Sequence, residues 1–344
     1  MRRRDPVQRQ ADGSRDLQEV ADWEPRSLVD RLVYRVYAAA APVARAALVA
    51  LAALILLTQV ALGGFGALDD PVVGVFVVLS VVPALLLAAY IHYADITTDE
   101  PLRLLVGTFV LGLLFAGFAG VLNAVLGGLL VSLLGEFVFG LVGSVETTRS
   151  VLFAVFFIVV VAPVEEGVKL LAVRLSAYRT PQFDAVVDGA VYGAAAGLGF
   201  ATIENALYIT GVIGPAGGDA LVAGGAITTV RALAGPGHVI YSALAGYYLG
   251  LARFNREYAG PLVLKGLLIA IGAHALYNIL ASELPELLAA TFGVSTFAAF
   301  VGFVVAYDGL LVAVLLRKLS RYRAAYRATR PRDTYRSELT EFDP

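Results

Sequence analysis

The chain has 344 residues, of which 58% are hydrophobic and 16% charged, and its mean hydropathy is +0.76. These values lie outside the range of soluble globular domains and indicate a polytopic membrane protein. Cysteine is absent, which excludes disulfides, thiolate metal ligands and a cysteine nucleophile, while the net charge of −2 conceals a concentration of Arg and Lys in the tails and a few loops.

An arm of 43 residues precedes the first candidate span. Its first 25 residues mix arginine with acidic side chains and show no apolar periodicity, so we expect a disordered cytoplasmic segment. Ser27 is predicted to cap a short helix lying in the membrane interface, because apolar side chains fall on one face and charged ones on the other. The apolar face consists of Leu28, Val29, Leu32, Val33 and Val36.

A helix that crosses a bilayer needs about 20 apolar residues, and the sequence offers eight such stretches. They are residues 44–64, 72–92, 103–126, 150–173, 186–210, 221–251, 261–281 and 294–316. Arginine occurs in alternate connections, which predicts that both termini are cytoplasmic. The predicted fold is an all-α, polytopic transmembrane helix bundle over 44–316, followed by a basic cytoplasmic tail over 317–344.

The apolar stretch from Leu104 to Val142 is longer than one span requires. Gly127, Gly128 and Gly135 interrupt it, and two full spans here would reverse the orientation of everything downstream. We therefore expect one long helix followed by a re-entrant or outer-surface segment.

The stretch Ala162-Pro-Val-Glu-Glu-Gly-Val-Lys169 places two carboxylates and an ammonium in a run that otherwise reads as membrane-spanning. Charges at such a depth cost about 2.5 to 3.5 kcal/mol each on insertion scales, so they need a partner or a task. Lys169 follows Glu165 by four residues and Glu166 by three, so it can form an ion pair with either carboxylate on one helix face. Such a pair accounts for one carboxylate, and the other remains without a counter-charge.

The fifth span carries Glu204-Asn205 after a face of small residues that permit close helix contact. These small residues are Gly189, Gly193 and Gly197. A buried carboxylate bonded to a neighbouring helix is the structural alternative for Glu204.

In the sixth span, Gly235-Pro236-Gly237 is expected to break the helix, so that a new segment with free N–H groups begins near His238. Arg231 is expected close to the outer surface of the membrane. A role as an anchor in the membrane interface is therefore as consistent with its position as a role in the functional site.

The seventh span carries His274 and Asn278, which are four residues apart and point the same way. A lone histidine in a helix is more often structural than functional, yet His238 and His274 are the only intramembrane histidines expected here. Asp308 in the eighth span is predicted to pair with Lys169 or another helix, outside the catalytic set.

Carboxylate, imidazole and amide groups gathered in a wet pocket inside a membrane suit the hydrolysis of a peptide bond. A glutamate can act as general base on water, and His, Asn and free backbone N–H groups can stabilise the oxyanion. The sequence contains neither a serine nucleophile elbow nor a His-Glu-x-x-His zinc helix, so a covalent acyl-enzyme route is disfavoured.

Four motifs on four successive spans resemble those of the PrsW family of intramembrane proteases, which is distantly similar to the CAAX prenyl endopeptidases and Abi proteins. The motifs are Glu165-Glu166-x-x-Lys169, Phe200-x-x-x-Glu204-Asn205, His238 and His274-x-x-x-Asn278. The resemblance covers residues 150–280. Asn278 stands where PrsW-type proteins typically show aspartate, and Glu204 stands where CAAX-type relatives carry histidine.

The resemblance implies a role for each motif. Glu165 and Glu166 would supply the base that activates water, with help from Glu204. The groups that orient the water and stabilise the oxyanion would be His238, His274 and Asn278, supported by Lys169 and Asn205. No cofactor is favoured, because zincin spacing is missing; zinc, if it takes part, would have Glu165, Glu204, His238 and His274 as ligands.

The predicted function is an intramembrane endopeptidase of the cell membrane that cuts a membrane-anchored protein, such as an anti-sigma-factor-like regulator. A proton- or cation-coupled transporter is one alternative, since buried Glu and His also relay protons. A non-catalytic immunity or scaffold relative is another. No nucleic-acid partner is expected.

Overall fold

The computed structural model describes residues 5–10, 16–38, 71–97, 99–216 and 219–329, and within these ranges the chain is helical and forms no β-strand. The helices are α1 (Pro6–Gln10), α2 (28–38), α3 (Pro71–Tyr93), α4 (Leu102–Val142), α5 (Val145–Phe156), α6 (Ala162–Ser176), α7 (Asp188–Ala216), α8 (Ala220–Phe254), α9 (Ala259–Phe292) and α10 (Thr296–Thr329). The all-α class is confirmed.

Six stretches of the described chain are long and apolar enough to cross a membrane. They are Pro71–Tyr93, Leu102–Val142, Val145–Ser176, Asp188–Ile213, Arg256–Phe292 and Thr296–Thr329. Helix α8 is as long as these but more polar, and it packs between α7 and α9. The predicted span 44–64 lies outside the described residues.

Helices α5 and α6 form one rod that contains a π-helical turn, Phe157–Val161. A π turn inserts an extra residue into the helix and is often found at functional sites. Here it comes directly before the segment that carries Glu165 and Lys169.

The centre of the bundle is the contact between α7 and α8, which small residues bring together. A Cβ atom on Gly193 would lie 2.2 Å from the carbonyl oxygen of Ser242, and one on Gly189 would lie 2.1 Å from that of Gly246. The predicted small-residue face on α7 is therefore confirmed as a helix contact.

Two expected interruptions do not occur. Helix α4 continues through Gly127, Gly128 and Gly135, so the expected long helix is confirmed, but no re-entrant segment follows residue 126. In an apolar medium a chain that left the helix would expose unpaired backbone groups, and this cost outweighs the weak helix propensity of glycine.

Helix α8 likewise continues through Gly235-Pro236-Gly237, with Pro236 inside it. The prediction of a new helix start near His238 was wrong, because a transmembrane helix tolerates the one backbone bond that proline removes when neighbouring helices enclose it.

The described part of the arm is folded, which corrects the expectation of disorder. Trp23 is 3% exposed, and its backbone N–H donates to Asn255 Oδ1 at 3.1 Å. Ser27 caps α2 as predicted, since its Oγ accepts from the Asp30 N–H at 3.0 Å. The arm packs on the ends of α8 and α10 and the start of α9, which we call the arm end of the bundle.

Candidate active site

The charged stretch on α6 is buried and internally paired. Lys169 Nζ lies 2.7 Å from Glu166 Oε1 and 3.7 Å from Glu165 Oε2, and the three side chains are at most 5% exposed. Glu166 thus takes the ammonium, while Glu165 Oε2 is buried without a hydrogen-bond partner. The sequence expectation that one carboxylate would be left over applies to Glu165.

The two intramembrane histidines meet beside this cluster. The ring centroids of His238 and His274 are 5.3 Å apart. His274 Nδ1 lies 2.9 Å from Glu166 Oε1, and its Nε2 lies 3.8 Å from Glu165 Oε2. The Glu166 carboxylate accepts a hydrogen bond from Nδ1–H, so the lone pair of the His274 ring lies on Nε2, on the side of Glu165.

A second ion pair closes the site from the side of α7 and α8. The guanidinium of Arg231 binds Glu204, and Arg231 Nε donates to Asn205 Oδ1 at 2.8 Å. Glu204 Oε2 also lies 2.7 Å from His238 Nε2. Arg231, for which an anchoring role was equally open, is therefore part of the site.

Several of these side chains line one cavity of about 580 Å³. Of the predicted residues, its wall includes Glu165, Glu204, His238, His274 and Asn278. Glu166, Lys169 and Asn205 lie behind that wall, where they hold the side chains that reach the cavity.

Sequence reasoning missed Asn123 of α4, whose Nδ2 donates to Glu165 Oε1 at 3.1 Å. Its signal was available, because it is a lone amide in a long apolar helix. Tyr241, whose ring stacks on His274 at a centroid distance of 5.5 Å, was also missed.

Asp308 was predicted to pair with Lys169 or with another helix, and in the described chain it does neither. Both of its carboxyl oxygens are buried without a hydrogen bond, and Lys169 is already committed to Glu166.

The side chains fit a metal ion at one position. Glu165, His238 and His274 each offer a ligand atom, and these atoms lie within 4.8 Å of one another. Both ring nitrogens of His238 are engaged, one with Lys169 and one with Glu204, so one of these contacts must open before His238 can bind a metal. The orphaned oxygen of Glu165 and the free Nε2 of His274 have the chemistry that zinc prefers, and Glu166 on the other ring nitrogen is the usual second partner of a metal-bound histidine. Glu204 was also expected as a ligand but is held by Arg231 and His238.

An all-helical bundle with apolar, membrane-length helices and a cavity lined by carboxylates, histidines and amides is chemically suited to hydrolysis inside a membrane. The sequence model of the PrsW family intramembrane metalloproteases matches residues 100–309, more than half of the chain. The chain belongs to this family, which confirms the predicted family and the class of peptidase. No solved structure matches the chain.

Curated relatives agree with this assignment. Protease PrsW of Shouchella clausii is 30% identical over 46% of this chain and 65% of its own length, slightly under two thirds. Protease PrsW of Oceanobacillus iheyensis is 27% identical over 58% of this chain and 80% of its own. That of Bacillus subtilis is 29% identical over 52% of this chain and 69% of its own.

Proposed function

We propose that this protein hydrolyses a peptide bond of a membrane-anchored protein, with Glu165 as the group that activates water. The observation that carries the proposal is the unpartnered, buried Oε2 of Glu165 on the cavity wall, 3.8 Å from His274 Nε2. A single water molecule can contact both atoms. Glu165 would accept its proton, and the lone pair of His274 would orient it.

The remaining groups of the wall supply donors. Asn278 faces the cavity and forms no hydrogen bond with the described residues. Its amide is suited to donate to the oxyanion that develops on the scissile carbonyl. Glu166 acts through His274 as a positioning residue, because its carboxylate fixes the ring tautomer.

If zinc takes part, as the family description implies, Glu165, His238 and His274 would hold it, and it would polarise the scissile carbonyl and acidify water; Glu165 would then be a ligand and not the base. The charges of the site support a cationic guest. Three carboxylates face two permanent cations, Lys169 and Arg231, so one negative charge is left uncompensated with neutral histidines.

An apolar groove beside the cavity supports a membrane-embedded substrate. It lies between α4 and α5, has a volume of about 630 Å³ and shares Asn123, Phe153 and Phe156 with the catalytic cavity. An apolar transmembrane segment fits such a groove. The substrate class is therefore a membrane-anchored protein, for example a regulator of the anti-sigma-factor type.

We place the protein in the cell membrane with eight spans and both termini in the cytoplasm. Arg103, Arg174, Arg179, Arg253 and Arg256 all fall at or beyond helix termini at the arm end, which agrees with the positive-inside rule.

The test is cleavage of a membrane-anchored reporter in proteoliposomes by wild-type protein and the Glu165→Gln variant. We expect the variant to lose at least about 100-fold in rate, the lower range of general-base effects. Glu136→Gln, on an exposed position of α4, is the matched control. Equal rates for wild type and Glu165→Gln would refute the proposal, and proton flux without cleavage would favour the transporter alternative.

A further inference from the structure

A second cluster of carboxyl groups lies at the arm end of the bundle, away from the catalytic cavity. Asp95 belongs to the loop between α3 and α4, Glu100 closes that loop, and Asp188 begins α7. One oxygen from each lies within 4.8 Å of the others. Asp188 precedes Glu204 by sixteen residues, which is about 24 Å along a helix, so this cluster is distinct from the site described above.

In each carboxyl group of the cluster, one oxygen accepts a hydrogen bond and the other has no partner. The hydroxyl of Tyr192 donates to Glu100 Oε2, and the N–H groups of Asp184 and Ala185 donate to Asp188 Oδ2 at 2.6 and 2.8 Å.

Asp95 Oδ1 accepts from the N–H of Thr97 at 2.9 Å. The second oxygen of each carboxyl, namely Asp95 Oδ2, Glu100 Oε1 and Asp188 Oδ1, is buried and has no hydrogen-bond partner.

Burial makes these free oxygens costly. Glu100 is 6% exposed and Asp188 0% exposed, and the free oxygens of these two residues and of Asp95 have no hydrogen-bond partner in the described chain. A buried carboxylate needs a counter-charge, and three converging carboxylates supply more negative charge than one proton can remove.

We propose that Asp95, Glu100 and Asp188 bind a hard divalent cation of about the size of Ca²⁺, which ties the α3–α4 loop to the start of α7. Carboxylate oxygens are the ligands that Ca²⁺, Mg²⁺ and Mn²⁺ prefer. Oxygens up to 4.8 Å apart suit Ca²⁺, whose bonds of 2.3–2.6 Å span that distance, better than Mg²⁺ with bonds near 2.1 Å. Asp95 is half-buried, so water can complete the coordination shell.

The cation would hold α4 and α7 in register, because the loop leads directly into α4. These two helices carry Asn123 and Glu204 of the catalytic cavity. The ion is thus structural, and its binding is measurable without any substrate.

The experiment uses the full chain in nanodiscs, stripped with EDTA and then titrated with CaCl₂, MnCl₂ or MgCl₂ while thermal unfolding is followed. For wild type we expect a saturable rise in Tm on the order of 5 °C with Ca²⁺ or Mn²⁺. Glu100→Gln and Asp188→Asn should lose the rise and unfold no earlier than wild type in EDTA, because each removes an uncompensated charge. Asp99→Asn, exposed in the same loop, should respond like wild type.

A direct count of bound ions complements the thermal data. In the Glu165→Gln background, Mn²⁺ electron paramagnetic resonance should report one tightly bound ion per chain, and Asp95→Asn, the least buried substitution, should abolish it. The proposal is overturned if no cation raises the wild-type Tm, or if the rise persists in all three site variants. A Tm that rises only on acidification would show that a shared proton occupies the cluster instead.

Discussion

The ammonium of Lys169 lies 2.8 Å from Nδ1 of His238. An ammonium only donates, so Nδ1 must accept and the ring proton must sit on Nε2, which donates to Glu204 Oε2 at 2.7 Å. Lys169 thus sets the tautomer of His238 and ties the cluster on α6 to the ion pair between α7 and α8. For His238 to bind a metal, one of these two contacts must be released.

Replacing Lys169 by Met should destabilise the protein by about 3 to 5 kcal/mol, because Glu166 would remain as an unpaired buried charge. The double variant Lys169→Met/Glu166→Gln should recover most of that stability, since it removes both charges. Thermal unfolding in nanodiscs measures both effects. A single variant as stable as wild type would contradict the buried ion pair.

Replacing Asn123 by Ala should lower the cleavage rate about 10- to 100-fold, the range found for residues that orient a reactive group. Stability should change little, because Asn123 is half-buried and makes one side-chain hydrogen bond. Ser132→Ala on an exposed position of α4 is the control. An unchanged rate in Asn123→Ala would show that the contact with Glu165 is incidental.

Arg231 and Glu204 should be coupled energetically. Arg231→Met and Glu204→Gln should each reduce activity, and the double variant should lose much less than the sum of the two, with a coupling energy of about 0.5 to 3 kcal/mol. Cleavage rates for the four proteins complete the cycle. Strictly additive losses would mean that the two side chains act independently despite their contact.

Gly193→Ala should destabilise the bundle by about 1 to 3 kcal/mol, because the new Cβ would meet the rigid backbone carbonyl of Ser242. Gly140→Ala meets no atom within 4 Å and should be neutral or slightly stabilising. Thermal unfolding of the pair distinguishes close helix contact from a general intolerance of alanine. Equal Tm values for the two variants would contradict the α7–α8 packing.

Acid should release the arm. Burial acts to raise the pKa of Glu19, but Lys318 and Lys265 outweigh it and hold this pKa below its usual value. Such a carboxylate stabilises docking above its unfolded pKa of about 4.3, and the contribution is lost as the pH falls through the lower folded value. Trp23, the only tryptophan of the chain, is buried in the docked arm and reports this directly.

Trp23 emission should therefore shift to longer wavelength as the pH falls below about 4, and Glu19→Gln should show part of the shift at pH 7. Glu257→Gln, exposed near the same surface, should behave like wild type. An emission maximum that stays constant from pH 7 to pH 3 in wild type would exclude this role for Glu19.

The sequence predicted which side chains share the site more reliably than it predicted the backbone conformation of the helices that bear them. Charges and histidines are so costly in a bilayer that Glu165, His238 and His274 could be assigned to a shared pocket from their types alone. The break at Gly235-Pro236-Gly237 was predicted from propensities measured in water, and these do not hold where every backbone group must be paired inside the bundle.

The sequence also did not predict which side chains contact each other across neighbouring helices. Both faces of a transmembrane helix are apolar, so periodicity does not reveal that Asn123 faces Glu165 or that Arg231 reaches Glu204. The prediction that Asp308 pairs with Lys169 failed for the same reason. The depth of a residue in the membrane can be counted from the sequence, but the rotation of its helix about the helix axis cannot.

That rotation depends on the π-helical turn at Phe157–Val161. Each residue of an α-helix advances by about 100°, so if the same residues were wound as a regular α-helix without this turn, Glu165 and Lys169 would rotate by more than a quarter circle. The acidic face would then point at hydrocarbon, although every side chain of the cavity was still encoded. The apolar residues of this one turn thus decide the direction in which the carboxylates of α6 point.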